Sequence, residues 1–421
     1  MIGINFPDTA KVNGKGRLEI GGCDVLDLAR EFGTPLYVMD EATLRDRCRQ
    51  YVKSFRTHYP NSEIIFASKA LCAIGISEII ASEGLGFDVA SGGELYTVLE
   101  ADADPKKIYF HGNNKSPQEI KEGLEAGIGR FVVDNEQELE NLDMITKETG
   151  LRAHILFRIN PGIEAHTHEF IQTGKIDSKF GLQLSSLDRL VQKAKKMKLV
   201  ELKGFHAHIG SQILDIKPFI AEIELLLELT KKYGAEEMNM GGGLGIAYLP
   251  QHTPPSIDHL AKEISKVIKD KTMAKLIVEP GRSIVGAAGV TLYNVGGIKD
   301  IPDIRKYVFI DGGMADNPRP ILYDAKYDAL LGNKPEADKV EAVTVAGRFC
   351  ESGDILIKDI KLPKVETGDT LVVACTGAYN YSMASNYNRV GRPAMVLVNN
   401  GDANITVKRE SYEDLIINDA I

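Results

Sequence analysis

Eight short apolar runs recur between about residues 37 and 280, each followed by a longer stretch of helical character, and this alternation narrows the fold more than any other feature. It is the pattern of a parallel sheet with helical crossovers. The runs are EIIF (63–66), FDVA (87–90), IYF (108–110), FVV (131–133), HILFRI (154–159), GFHAHI (204–209), EMNM (237–240) and KLIVE (275–279). Eight strands with intervening helices predict a closed (β/α)8 barrel. Beyond residue 281 the texture changes to turn-bounded, β-rich runs such as VTLYNV, KYVFIDGG, EAVTVAG and DTLVVACTG, which predict an all-β domain, a sandwich or barrel. A chain of 421 residues is also too long for one ordinary core. The expected division is a barrel over 37–280 and a β domain built from 1–36 and 281–421.

At or just after the C-terminal end of each barrel run stands a polar residue or a glycine turn. In order they are Lys69, Asp88 with Ser91, His111, Asp134, Arg158 with Asn160, His208 with Ser211, Gly241 to Gly243, and Glu279. Loops are wet, so one such residue means little. All eight together mark the end of a barrel at which active sites are built.

The residue types suggest a particular chemistry. Lys69, in FASKAL, would reach the barrel mouth partly desolvated, a setting that lowers a lysine's pKa and makes it a Schiff-base nucleophile; alone it reads equally well as a solvated cation. The run NMGGGLG (239–245) resembles a phosphate cradle, with a plain tight turn as the competing reading. It is not a G-x-G-x-x-G fingerprint, since Ile246 and Tyr248 occupy the third positions, so a nicotinamide-dependent oxidoreductase has little support. Barrels commonly hold phosphate at the loops after strands seven and eight, where this run falls. Glu279, in VEPGRS, is placed to keep a pyridinium nitrogen protonated, which turns a pyridoxal ring into an electron sink. His208, in HAHIGS, would lie against that ring while Ser211 offered a hydroxyl to the phosphate.

Charge and cysteine content exclude other classes. With 59 acidic against 50 basic residues the chain should repel phosphate backbones, so no nucleic-acid partner is expected. The five cysteines (Cys23, Cys48, Cys72, Cys350 and Cys375) are odd in number and without C-x-x-C spacing, which points to a reducing cytoplasm. The N-terminal stretch has no basic n-region or apolar h-region and no apolar run is long enough for a bilayer, so a cytoplasmic protein without membrane contact is expected. HTHEF (166–170) offers two histidines and a glutamate but no further ligand at telling spacing, and no metal is expected; the stretch 162–181 reads as a loop over the barrel mouth.

The motifs FASKA, HAHIGSQ, NMGGGLG and VEPGR are followed by IDGGMADNPRPILY, RFCESGD and TGAYNYSMASNYN. In that order they resemble the barrel-type, alanine-racemase-like pyridoxal-phosphate decarboxylases along nearly the whole chain, most closely the members acting on diaminopimelate. The resemblance implies pyridoxal 5'-phosphate as cofactor, bound covalently by Lys69, with His208 stacked on the ring and Glu279 at its nitrogen. Asp88, Ser211, Gly241, Gly242, Gly243, Pro280, Gly281, Arg282 and Tyr379 would complete the cofactor site. Arg282, Arg319 and Tyr323 would grip the distal carboxylate of meso-diaminopimelate, Tyr379 would also touch substrate, Glu351 would meet the distal ammonium, and Cys350 would donate the proton. The implied reaction is decarboxylation to L-lysine and CO2, the last step of lysine biosynthesis. The implied assembly is a homodimer in which the RFCESGD segment enters the partner's barrel.

Two other readings remain open on the sequence. One keeps the cofactor and changes the substrate to L-ornithine, L-lysine or carboxynorspermidine, or the reaction to racemisation; racemases of this fold carry a tyrosine where Cys350 stands. The other is a non-catalytic homologue that merely holds the cofactor, which should have lost the lysine or the acid that this chain keeps.

Overall fold

The structure is a computed structural model that describes residue 3, residues 5–162 and residues 178–420. HTHEF and most of the 162–181 loop lie outside the described residues.

All eight expected runs form strands: Ser62–Ala67, Gly86–Val89, Ile108–Phe110, Arg130–Val133, Ala153–Arg158, Val200–His206, Glu237–Asn239 and Lys275–Val278. They are parallel and close into a barrel, with Leu276 of the last strand opposite Ser62 of the first. A strand covered by helices outside and packed side chains inside is buried on both faces, which is why these segments read as unbroken apolar runs. Ile65, Tyr109, Val132, Leu156 and Ile277 fill the interior as one cluster. Outside, the helix Lys217–Tyr233 buries Phe219, Ile223, Leu226, Leu227 and Leu229, and Glu222 with them, and turns Glu224, Glu228, Lys231 and Lys232 to solvent, as a barrel-wall helix should.

The N-terminal end of the barrel is closed by paired charges. Arg130 Nε lies 2.8 Å from Glu237 Oε2 across the barrel, and Lys275 Nζ and Tyr109 Oη each lie 3.1 Å from Glu63 Oε2. Such groups stabilise the fold and leave chemistry to the other end.

The β-rich part is organised by one long strand, Gly289–Ile301. Its first half pairs with Leu36–Asp40 and Thr370–Val373, its second with Arg305–Ile310, and the register shifts between Val295 and Gly297. The bend lets one strand serve two parts of a nine-stranded sheet. Because Leu36–Asp40 also pairs in parallel with Ala394–Val398, residues 37–40 belong to this sheet, not to the barrel as the 37–280 boundary expected. One compact unit comprises Met1–Asp46, Ile246–Thr253 and Arg282–Ile421; the other comprises Arg47–Gly245 and Pro254–Gly281. Among the described residues no helix is long and apolar enough to cross a membrane.

Candidate active site

In the barrel unit, four strand ends converge on two buried carboxylates. Lys69 sits in the turn Ser68–Ala70 that directly follows the first strand, and its Nζ is 3.7 Å from Asp88 Oδ2 at the end of the second. The lysine side chain keeps 46% of its exposure, so it reaches toward the mouth while Asp88 lies beneath it. That turn rests on the last strand's exit: Ala67 N donates to Pro280 O at 3.1 Å, and a side chain at Gly281 would meet the Cβ atoms of Ala67 and Ala70 at 3.0 Å.

Glu279 is the second carboxylate, and it is buried. Asn239 Nδ2 donates to Oε1 at 2.7 Å and His206 Nε2 lies 3.2 Å from Oε2. His111 Nε2 is 3.0 Å from Oε1 and 3.7 Å from Asp88 Oδ1, a ring nitrogen placed between the two acids. Burial alone would push the Glu279 carboxyl up; the two histidines outweigh it and hold the group well below the usual carboxylate range.

The glycine run after the seventh strand is shaped by close backbone approach. A Cβ on Gly242 would lie 2.0 Å from Glu279 O, and one on Gly241 2.8 Å from His208 Nδ1. Gly242 N donates to that same imidazole nitrogen at 3.2 Å, which fixes the ring of His208 beside the run. Burial, then the nearby cations Lys69 and Arg158, push His208 well below the ordinary imidazole range, so it is a neutral ring. Ser211 is half-buried in the loop that follows. After the second strand, Glu94 in the first turn of the helix Gly92–Glu100 accepts from Ala90 N at 2.7 Å and is pushed by burial up to about 7.

These residues fit a pyridoxal ring on their own chemistry. A carboxylate offers about four acceptor directions. Glu279 spends two on the aligned donors Asn239 and His206 and stays anionic, ready for one more N–H donor such as a protonated ring nitrogen. Asp88 Oδ2 is buried without an aligned hydrogen-bond partner among the described residues, an acceptor that Lys69 alone contacts at ion-pair distance.

In the β unit, a second cluster stacks two arginines on tyrosines. The Arg282 guanidinium lies 4.7 Å from the Tyr379 ring centroid and 5.7 Å from that of Tyr248; that of Arg319 lies 4.8 Å from Tyr248 and 5.5 Å from Tyr327. Arg319 is buried in the short helix Arg319–Tyr323, with Tyr323 half-buried at its other end. Two cations on an aromatic floor make a site for a planar anion. Cys350 and Glu351 are both exposed in this unit; the Cys350 amide donates to Asn388 Oδ1 at 3.0 Å. Cys375 in this unit and Cys72 in the barrel unit are pushed by burial up to about 12 and stay thiols.

Sequence reasoning missed Asn239, His206, Glu94, Tyr248 and Tyr327. His206 and His208 are two apart at a strand end, and Asn239 and Gly241 likewise, so period-two spacing was the available signal for the first two. The tyrosines carry no local signal.

A model of the family described as "Pyridoxal-dependent decarboxylase, pyridoxal binding domain" matches residues 42–286. The diaminopimelate decarboxylase of Synechocystis sp. is 49% identical over 436 aligned residues, covering 99% of this chain and 93% of that one. That of Bacillus methanolicus is 47% identical over 419, covering 96% and 97%. Among solved structures, the diaminopimelate decarboxylase of M. jannaschii in complex with L-lysine superposes with a TM-score of 0.93 at 40% identity, covering 98% of each chain.

Proposed function

The chain belongs to the diaminopimelate decarboxylases within the pyridoxal-dependent decarboxylase family, and from that premise we propose that it converts meso-2,6-diaminopimelate to L-lysine and CO2 as the last step of lysine biosynthesis. It is a carboxy-lyase whose cofactor is pyridoxal 5'-phosphate. The observation that carries this reading is the line of strand-end groups Lys69, Asp88, His111 and Glu279, which sets an amine at one end of a buried network and an ionised acid at the other.

When bound, pyridoxal phosphate supplies an electron sink for the pair left as CO2 departs. Lys69 would hold its aldehyde carbon, Glu279 the proton on its ring nitrogen, neutral His208 one ring face, and Asp88 the charge near the lysine. Ser211, Gly241, Gly242, Gly243 and the turn Pro280, Gly281, Arg282 would take its phosphate end, with Tyr379 beside it. Arg282, Arg319 and Tyr323 would hold the distal carboxylate, which L-ornithine lacks; the buried Arg319 over its tyrosines supports that assignment. Glu351 would meet the distal ammonium and Cys350 would deliver a proton to Cα. Both are exposed, which suits residues donated to a partner's barrel across a two-fold homodimer interface, and the working compartment is the cytoplasm.

The test offers meso-diaminopimelate, L-lysine and L-ornithine separately and identifies the products. Lysine and CO2 from diaminopimelate alone are expected; turnover of L-ornithine without diaminopimelate would sink the substrate assignment. For the shared site, mixing inactive Lys69→Ala and Cys350→Ala chains should restore up to about a quarter of wild-type activity, since half the dimers are mixed and each holds one intact site. No recovery after verified subunit exchange would leave the site within one chain.

A further inference from the structure

We propose that His206 and His111 are positioning residues for the decarboxylation, acting through Glu279: they hold its carboxylate ionised and aimed, and so fix the protonation of the cofactor's ring nitrogen. The inference rests on the proposed placement of Glu279 at that nitrogen.

The geometry behind it is a buried clamp. His206 Nε2 stands 3.2 Å from Glu279 Oε2 and His111 Nε2 3.0 Å from Oε1, with the two imidazole rings 4.8 Å apart and nearly perpendicular at 72°. Both histidines and the glutamate are at least nine-tenths buried. The two rings play different parts. His206 is aligned as a hydrogen-bond donor, and its Nδ1 is buried without a hydrogen-bond partner among the described residues, which leaves the Nε2 proton on the Glu279 side. His111 Nε2 is close to Glu279 and Asp88 but aligned with neither, so it acts by its position between the two acids.

Charge decides why a histidine serves here where a lysine would not. Burial pushes His206 down to about 3, although Glu279 pulls it up, so the ring is neutral near pH 7. A neutral N–H stabilises a carboxylate without cancelling its charge. The negative charge therefore stays available for a ring N–H+, which a lysine in the same place would have neutralised. Asn239 on Oε1 works in the same uncharged way.

The experiment reconstitutes full-length protein with pyridoxal phosphate and, separately, with its 1-deaza analogue, in which C–H replaces the ring nitrogen, and measures each dissociation constant by fluorescence. His206→Leu and His111→Leu should weaken pyridoxal phosphate on the order of tenfold, as loss of a hydrogen bond behind a site's liganding group does, and leave the analogue within about twofold. His206→Gln, which keeps a donor at the Nε2 position, should restore most of the loss. Equal weakening of both cofactors, or none of either, overturns the proposal; if a leucine variant does not fold, His206→Met and His111→Met, which also lack a donor, are read by the same comparison. Glu279→Gln separates the two layers. If it discriminates between the cofactors and the histidine variants do not, the clamp is wrong; if it does not discriminate, the placement of Glu279 is wrong.

Discussion

The barrel mouth and the segment Arg348–Asp354 use buried acids in opposite ways. In the barrel, side chains from three other strand ends, Asn239, His206 and His111, crowd onto the buried carboxylate of Glu279. In the Arg348–Asp354 segment, the buried acid is Asp354, which accepts from Phe349 N at 2.9 Å and Met314 N at 2.7 Å and folds the backbone around itself. The fit is tight: a Cβ on Gly347 would lie 2.1 Å from Asp354 Oδ2, and one on Gly313 2.5 Å from Oδ1. Cys350 and Glu351, beside it, are left facing solvent, and among the described residues the Glu351 carboxylate makes only long contacts, to Ser352 Oγ at 3.5 Å and Gly353 N at 3.4 Å. The contrast separates two tasks. On the proposed roles, a charge that stays in place is held by side chains, whereas residues that reach outward sit on a backbone folded around Asp354.

The sharpest way to break this comparison is Cys350→Ala. If the segment only delivers a proton, kcat should fall on the order of 10^2- to 10^4-fold while the dissociation constant of pyridoxal phosphate stays within about twofold. A parallel loss of cofactor affinity would mean that the segment also builds the cofactor site. Next in size is Lys115→Met, which strikes the barrel's own scaffolding. Lys115 Nζ is buried and bonds Glu138 at 2.7 Å, Val132 O at 2.9 Å and Gly112 O at 2.8 Å, tying the loop after the third strand to the fourth strand and the helix that follows it. Burial lowers Lys115 and raises Glu138 from their ordinary values, so removing one partner strands a buried charge at a cost of about 3–5 kcal/mol. Thermal unfolding should show it; an unchanged Tm would mean that water reaches Glu138.

The barrel was legible because its signal is local. Each run such as EIIF or KLIVE is bounded by its own turn chemistry, and the polar residue at its end is adjacent in sequence, so Lys69, Asp88, His111 and Glu279 could be picked out before any fold was known. The β unit was less so, because which strands pair is a long-range matter. PLYVMD looks like any barrel strand, yet Leu36–Asp40 finds partners more than 240 residues away, at Gly289–Leu292 and Ala394–Val398. Tyr248 and Tyr327 were invisible for the same reason, since nothing near either residue predicts a place beneath Arg319. The clamp on Glu279 lies between these cases. His206 and Asn239 lie within the HAHIGS and NMGGGLG motifs, but only the pairing of strands six, seven and eight sets His206 beside Asn239 and Asn239 beside Ile277.

A smaller effect is expected from Asp354→Asn. The amide keeps one acceptor oxygen of two, so the segment should loosen by about 1–3 kcal/mol without losing the fold. Turnover should fall about tenfold through poorer placement of Cys350, with cofactor affinity unchanged. Lower stability with normal turnover would show that the backbone held by Asp354 does not set where the cysteine acts.

The smallest effect, and the one that sharpens the barrel side, concerns Glu94. Burial, with Asp88 adding to it, raises its carboxyl to about 7, although Ala90 N and the charges of Lys69 and His111 pull the other way. In the unfolded chain the same group ionises near pH 4. Between those values the folded protein binds the extra proton, so this group's stabilising contribution is complete below about pH 4 and is lost as pH rises toward 7. Glu94→Gln removes that dependence. The Tm of the variant should therefore gain on the wild type as pH rises from 5 to 8, by an amount equivalent to about 1–3 kcal/mol. A constant difference across that range would mean that Glu94 is already ionised beside Lys69.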